Sequence, residues 1–260
     1  MKNICYLFLI AISVLFSNCA ADDLSPAAAT DTGIAGSYAR FLVVGDFMYI
    51  VSQSALKTFA VKNADDPQLV DDQSIGNNIE TIFHYGGQLF IGSSEAMFIY
   101  TIQEDGIPNQ VARTDYENFF VTPCDPIVAN DKFAYVTLST TTEVNTCRNL
   151  SLEQLNVLKI YDIENIEQPN LLAEYPMFRP KGVGLDGTTL FVCDDEQGLK
   201  IFDVSDPFAI QLITQFSDFT AFDVIPLDGL LLVVGPENIY QFDYSDLDNI
   251  ERVGEIVIEP

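Results

Sequence analysis

Histidine occurs once in this 260-residue chain, at His84, and Lys and Arg together number 12 against 38 Asp and Glu. A lone imidazole just ahead of a Gly-Gly turn, with no serine or cysteine motif beside it, removes the usual nucleophile–base pairs. No G-x-S-x-G elbow, Walker loop, H-E-x-x-H pair or dinucleotide fingerprint is present either. The cysteines show no C-x-x-C or Cys/His spacing, which argues against a metal site. The acidic pairs Asp65-Asp66, Asp71-Asp72 and Asp194-Asp195 do not follow the D-x-D-x-D-G calcium loop. No metal and no cofactor is therefore expected. A formal net charge of −26 repels nucleic acid and anionic membrane, both of which need clustered Lys and Arg. Beyond the N-terminal leader no stretch keeps a helical apolar period, with SLEQL (151–155) the one candidate for a helical turn. Catalysis, if any, would have to rest on carboxylates.

The chain opens with Lys2, an apolar run of about a dozen residues and then FSNC ending at Cys19. The run is too short to span a bilayer and reads as a secretory signal, residues 1–18. Its end resembles the lipobox of bacterial lipoproteins, in which the cysteine is acylated and becomes the new N-terminus. Asp22-Asp23 resembles the surface-export signal of Bacteroidota lipoproteins. The resemblance implies an exported, surface-exposed outer-membrane lipoprotein that meets the membrane only through the lipid on Cys19. Residues 19–38, small and acidic, read as a flexible tether.

The remaining chain, residues 39–260, repeats one segment. Aligned on its aromatic residue, the segment gives Phe59 in LKTFAV, Tyr100 in FIYTI, Tyr161 in LKIYDI, Phe202 in LKIFDV and Phe242 in YQFDY. The intervals are 41, 61, 41 and 40 residues, so one repeat carries an insert of about 20. Ahead of each segment lies a strand, a turn and a second apolar strand, with turns read at Gly45-Asp46, Gly86-Gly87, Asn130-Asp131, Asp186-Gly187 and Asp228-Gly229. Behind each lies a Pro- or Asp-marked turn and an outer strand. A period near 40 built of short strands predicts an all-β fold, a β-propeller of about five four-stranded antiparallel blades. LKIYDI (158–163) and LKIFDVSDP (199–207) resemble the LVIVD repeat, a propeller-type repeat common in bacterial lipoproteins. That resemblance implies the propeller and an envelope location, and little about activity.

In such a fold any site should lie where the blades differ. Counting back five residues from each first turn gives Arg40, Thr81, Asp125, Lys181 and Asp223, a polar ring that would line one mouth of the channel. It is either a small-ligand or ion site or a set of salt bridges locking the blades. The insert, residues 139–157, should lie on the same face. A Cys124–Cys147 disulfide would staple it to its blade and stabilise by about 2–4 kcal/mol. Cys193 reads as a buried strand cysteine. The blade-to-blade loops add Arg113, Tyr116, Phe178 and Arg179, where exposed aromatics beside Arg would suit a glycan or an envelope protein, unless they wedge between blades. Asp162, Asp203 and Asp243 stand where a carboxylate caps nearby backbone N–H groups. The sequence favours a non-catalytic, lipid-anchored binding or scaffold module. The alternative is a carboxylate-based glycan-active enzyme using Asp125 and Asp223 at the channel mouth.

Overall fold

A computed structural model describes residues 36–116, 126–139 and 156–258. Among these residues the chain forms twenty strands and no helix. Blade 1 holds β1 (Phe41–Val44), β2 (Phe47–Val51), β3 (Ala55–Ala60) and β4 (Gln68–Ser74). Blade 2 holds β5 (Ile79–Tyr85), β6 (Gln88–Ser93), β7 (Ala96–Ile102) and β8 (Pro108–Asp115). Blade 3 holds β9 (Ile127–Ala129), β10 (Phe133–Leu138), β11 (Val157–Asp162) and β12 (Asn170–Pro176). Blade 4 holds β13 (Val183–Asp186), β14 (Thr189–Cys193), β15 (Leu199–Asp203) and β16 (Gln211–Phe216). Blade 5 holds β17 (Asp223–Leu227), β18 (Leu230–Val234), β19 (Asn238–Asp243) and β20 (Glu251–Val257). Each blade is one antiparallel sheet in sequence order. The first strands of successive blades lie side by side at the centre, and the fourth strands face solvent. This is the β-propeller expected from the repeat.

The aromatic residue of the repeat marks a structural event common to all five blades. The pairing of third and fourth strands slips by one residue just before Phe59, Tyr100, Tyr161, Phe202 and Phe242. A bulge at that point adds right-handed twist, which lets each outer strand turn away from the centre. The aspartate that follows in blades 3, 4 and 5 ends the strand as expected. Asp162 accepts from the Glu164 N–H at 2.9 Å, Asp203 from Ser205 N–H at 2.9 Å and Asp243 from Ser245 N–H at 3.0 Å.

The blades are joined by apolar layers. Tyr49, Val51 and Leu56 of blade 1 pack on Ile82, Leu89 and Phe98 of blade 2. Phe90, Met97 and Ile99 carry blade 2 onto Ile127, Ala134 and Val136 of blade 3. Tyr135, Leu158 and Ile160 meet Leu190, Val192 and Phe202 across the next joint. Phe191, Cys193, Leu199 and Ile201 of blade 4 meet Val224, Leu231, Val233 and Phe242 of blade 5. Nearly all of these side chains are withdrawn from water, each worth about 1.5–3 kcal/mol of transfer free energy for the larger ones.

Among the described residues no such layer joins blade 5 back to blade 1. On blade 1 the face turned away from blade 2 carries Phe41, Val43, Met48, Ile50, Phe59 and Leu69. Phe41 is 61% exposed and Val43 41%. On blade 5 the face turned away from blade 4 carries Ile225, Leu230, Leu232, Val234, Ile239 and Ile256, all partly or well exposed. The second strands of blades 2, 3 and 4 are buried along nearly their whole length. Among the described residues nothing closes the seam between blades 5 and 1, and its walls are apolar.

Two first turns sit one residue later than the sequence spacing suggests. In blade 3 the Asn130 N–H donates to Phe133 O, so the tip is Asp131-Lys132; in blade 4 Asp186 pairs with Thr189, so the tip is Gly187-Thr188. Asn130 and Asp186 are strand-end residues that look like turn residues. Asn130 uses its side-chain carbonyl to accept from Lys132 and Phe133 N–H groups, a mimic of the turn itself.

Candidate functional site

That one-residue shift redraws the polar ring. Arg40, Pro126 and Gly182 occupy one equivalent place, each giving its carbonyl to a second-strand N–H, those of Val51, Thr137 and Cys193. Thr81 opposite Gly92 and Asp223 opposite Val234 complete the set. Lys181 therefore stands one residue off the ring, and because strand side chains alternate, one residue changes the face. Arg40 is exposed and makes no ion pair among the described residues. Thr81 is buried on β5. Asp125, Cys124, Cys147 and Cys19 lie outside the described residues. Cys193 is free and fully buried, and burial, with the Asp223 and Asp194 carboxylates nearby, pushes its thiol well above the ordinary range.

The structure gathers the other candidates at the joint of blades 4 and 5. There the β14–β15 connection, Asp194 to Gly198, folds against the lead-in of blade 4. Gly198 has φ +74°, and a Cβ on it would meet Phe216 O at 1.9 Å, so only glycine fits. Asp194, fully buried, accepts from the Phe178 N–H at 3.1 Å, the Arg179 N–H at 2.8 Å and Lys200 Nζ at 2.5 Å. These bonds hold residues 178–181 in place. Asp195, at φ +51°, gives its carbonyl to the Ala221 N–H of the blade 5 lead-in at 3.0 Å. Its side chain, 9% exposed, lies 3.2 Å from Arg179 Nη2 and 3.4 Å from Lys181 Nζ. Arg179 also reaches Glu196 Oε1 at 3.1 Å.

Aromatic rings complete this patch. The Arg179 guanidinium lies 5.3 Å from the centre of the Phe178 ring, and Lys181 Nζ lies 4.1 Å from that of Phe222. Arg179 Nε is buried without a hydrogen-bond partner. Phe178 itself is 43% exposed. The patch thus offers cations and a ring edge, with the cations held in position by Asp195. Tyr116 behaves differently: it is buried in the joint of blades 2 and 3, wedged as the alternative reading of the loop aromatics has it. Arg113 lies on the outer strand β8, stacked over Phe98 and paired with Asp115.

Asp223 is tied to the backbone and to Ser37 rather than to a cation. Ser37 Oγ donates to its Oδ1 at 2.9 Å, and N–H groups of Ser37, Tyr38 and Val224 donate to the same carboxylate. The Ser37 hydroxyl in turn accepts from the Val183 N–H of blade 4 at 2.8 Å. Burial raises the Asp223 pKa, and these hydrogen bonds pull it back in part. Gly36 and Gly182 leave the room this needs, since a Cβ on either would fall within 2.4 Å of the carboxylate. Residues 36–39 form a turn, Ala39 N–H to Gly36 O at 3.0 Å, and Ala39 O then accepts from the Ile82 N–H of blade 2. The turn is a latch that ties the start of blade 1 to blades 4 and 5. Ser37 carried no signal in the sequence, because it lies in a small polar stretch indistinguishable from a tether.

No protein-family model matches the chain, and no curated protein sequence does. Solved structures resemble it in fold. A protein from Lactobacillus plantarum gives a TM-score of 0.63 at 15% identity, over 83% of this chain and 69% of that one. Apo AztD from Citrobacter koseri gives 0.56 at 13% identity, over 80% of this chain and 58% of that one. Hsv2 from Kluyveromyces lactis gives 0.51 at 12% identity, over 82% and 59%. The chain thus spans less than two thirds of the length of the last two, and at these identities the likeness is one of architecture alone.

Proposed function

We propose that this chain is a lipid-anchored cell-envelope propeller of the LVIVD type that binds a glycan or an envelope protein and performs no catalysis. The binding face is the loop end of blade 4, where Phe178, Arg179 and Lys181 stand on the Asp194–Asp195 support. The observation that carries this reading is the use made of Asp223. It is the one candidate catalytic carboxylate among the described residues, and its lone pairs are taken by four donors of the latch and of β17. A general acid or nucleophile needs a free oxygen facing substrate. The anchor is the acylated Cys19, with the acidic residues behind it directing the protein to the outer surface, and the Cys124–Cys147 disulfide holds the insert against blade 3.

The test is a glycan and envelope-protein capture with the mature chain, repeated with Arg179→Ala and Lys181→Ala. Loss of a saturable partner in the double variant supports the reading. Hydrolysis of a glycan that disappears in Asp223→Asn or Asp125→Asn overturns it. Mass spectrometry of the mature N-terminus addresses the anchor, and an unmodified start at Ala20 refutes it.

A further inference from the structure

The open seam between blades 5 and 1 lies apart from the blade 4 patch, and it presents two apolar walls. In a stacked repeat the terminal units normally carry polar outer faces, because each interior joint is closed by a neighbour and the ends are not. Here both ends keep joint-type faces: Phe41, Val43 and Met48 on blade 1, Leu230, Leu232 and Val234 on blade 5. Exposed apolar faces of this kind mark surfaces that another molecule covers.

The latch sets the size of the groove. The turn Gly36–Ala39 keeps its ends within about 7 Å. Gly36 lies against Asp223 and Ile225 of blade 5, and Arg40, next in the chain after Ala39, leads into β1. The narrow end is therefore closed at about one sheet spacing, ~10 Å. At the end of the seam where the first turns lie, charge is nearly all of one sign. Blade 1 contributes Asp46, Asp65 and Asp66, and blade 5 contributes Asp228, Asp246 and Asp248, all exposed. Lys62, paired with Asp46 at 3.4 Å, is the one cation in these turns. A second copy of the chain, itself at −26, would bring like charge to like charge.

We infer that the seam between blades 5 and 1 is a docking groove for an extended segment of another protein, one whose apolar side chains enter between the two sheet faces and whose Lys- or Arg-rich end lies at the acidic mouth. The binding is strand-like recognition, with side-chain contacts supplying affinity and the aspartates setting direction and on-rate. This is independent of the blade 4 patch, and neither proposal stands on the other.

The experiment uses the full mature chain and two labelled synthetic peptides of about eight residues, alternating Val and Thr, one with two terminal lysines and one with two terminal glutamates. Fluorescence anisotropy should show saturable binding of the lysine peptide at low salt. The glutamate peptide should bind at least about tenfold more weakly. Val43→Glu and Leu232→Glu should each weaken the lysine peptide by about tenfold or more, while Leu212→Glu, on the exposed outer strand of blade 4, should not. Circular dichroism melts of each variant separate a lost groove from a lost fold. Equal binding of both peptides, or binding untouched by the two wall variants in folded protein, overturns the proposal. So does sedimentation showing a dimer that Leu232→Glu dissolves, since the occupant is then a second copy. Monomeric Val43→Cys/Leu232→Cys chains that cross-link completely also overturn it, since the seam is then shut in solution. Capture by phosphatidylcholine vesicles that Val43→Glu abolishes overturns it in favour of a lipid occupant.

Discussion

Ser37→Ala should cost far more than a serine in a polar lead-in suggests. The hydroxyl makes two bonds, donating to the part-buried Asp223 carboxylate at 2.9 Å and accepting from the buried Val183 N–H at 2.8 Å. A hydrogen bond to a charged group contributes about 1.5–3 kcal/mol, and a buried N–H left without a partner costs a further ~1–3 kcal/mol. Allowing for partial relaxation and water entry, the variant should lose about 3 kcal/mol, a sizeable part of a typical stability of about 5–15 kcal/mol. For a chain of this size that corresponds to a melting point lower by about 6–12 °C. Ser52→Ala, removing an exposed hydroxyl whose bond to Ala55 O is 3.4 Å, should stay within about 0.5 kcal/mol and serves as control. Differential scanning calorimetry gives the shift, and hydrogen exchange of β1 and β2 locates it. The pH dependence adds a second arm. Because burial raises the folded pKa of Asp223, the folded state holds this proton more tightly than the unfolded chain. Its contribution is fully present below the ordinary carboxyl value of 3.8 and is lost as pH rises through the raised folded pKa. Wild type should therefore lose stability relative to Asp223→Asn as pH rises across that window, and the difference should flatten above it. A Ser37→Ala protein that melts with wild type, with unchanged exchange in blade 1, would refute the latch.

Three further outcomes follow from the same geometry. Gly198→Ala must move Phe216 O or abandon φ +74°, and should destabilise by about 2 kcal/mol or more in chemical denaturation, whereas Gly187→Ala, with nothing within 4 Å, should cost only the strain of its φ, about 1 kcal/mol. Phe191→Ala, in the closed joint of blades 4 and 5, should cost about 3–5 kcal/mol, whereas Leu232→Ala, on the open seam, should cost under about 1.5 kcal/mol; equal losses would mean the seam is packed. Cys193 should resist iodoacetamide in the native protein at neutral pH and react on unfolding, since only the exposed thiolate is nucleophilic; labelling of the folded chain would contradict its burial.

The blade count, the strand order and the place of every anchor segment were determined by the sequence alone. Period-two apolar strands and turn residues are local signals, and a repeat states them five times. The anchor aromatics and the aspartates after them were legible for the same reason: the bulge at Phe202 and the cap at Asp203 depend on residues within a few positions. What depended on a single residue of register was not legible. Asn130 and Asp186 are turn formers placed one residue before the tip, and in blade 4 that slip moved Lys181 off the ring it was read into. The tertiary structure alone decided how the ring ends meet. Ser37, Asp223 and Val183 are 186 and 146 residues apart along the chain, and no local pattern links a hydroxyl in a polar lead-in to a carboxylate on the last blade. Apolar faces on blades 1 and 5 likewise look like those of any interior blade. Whether a joint-type face finds a neighbour is a property of the assembled ring, not of the strand that carries it.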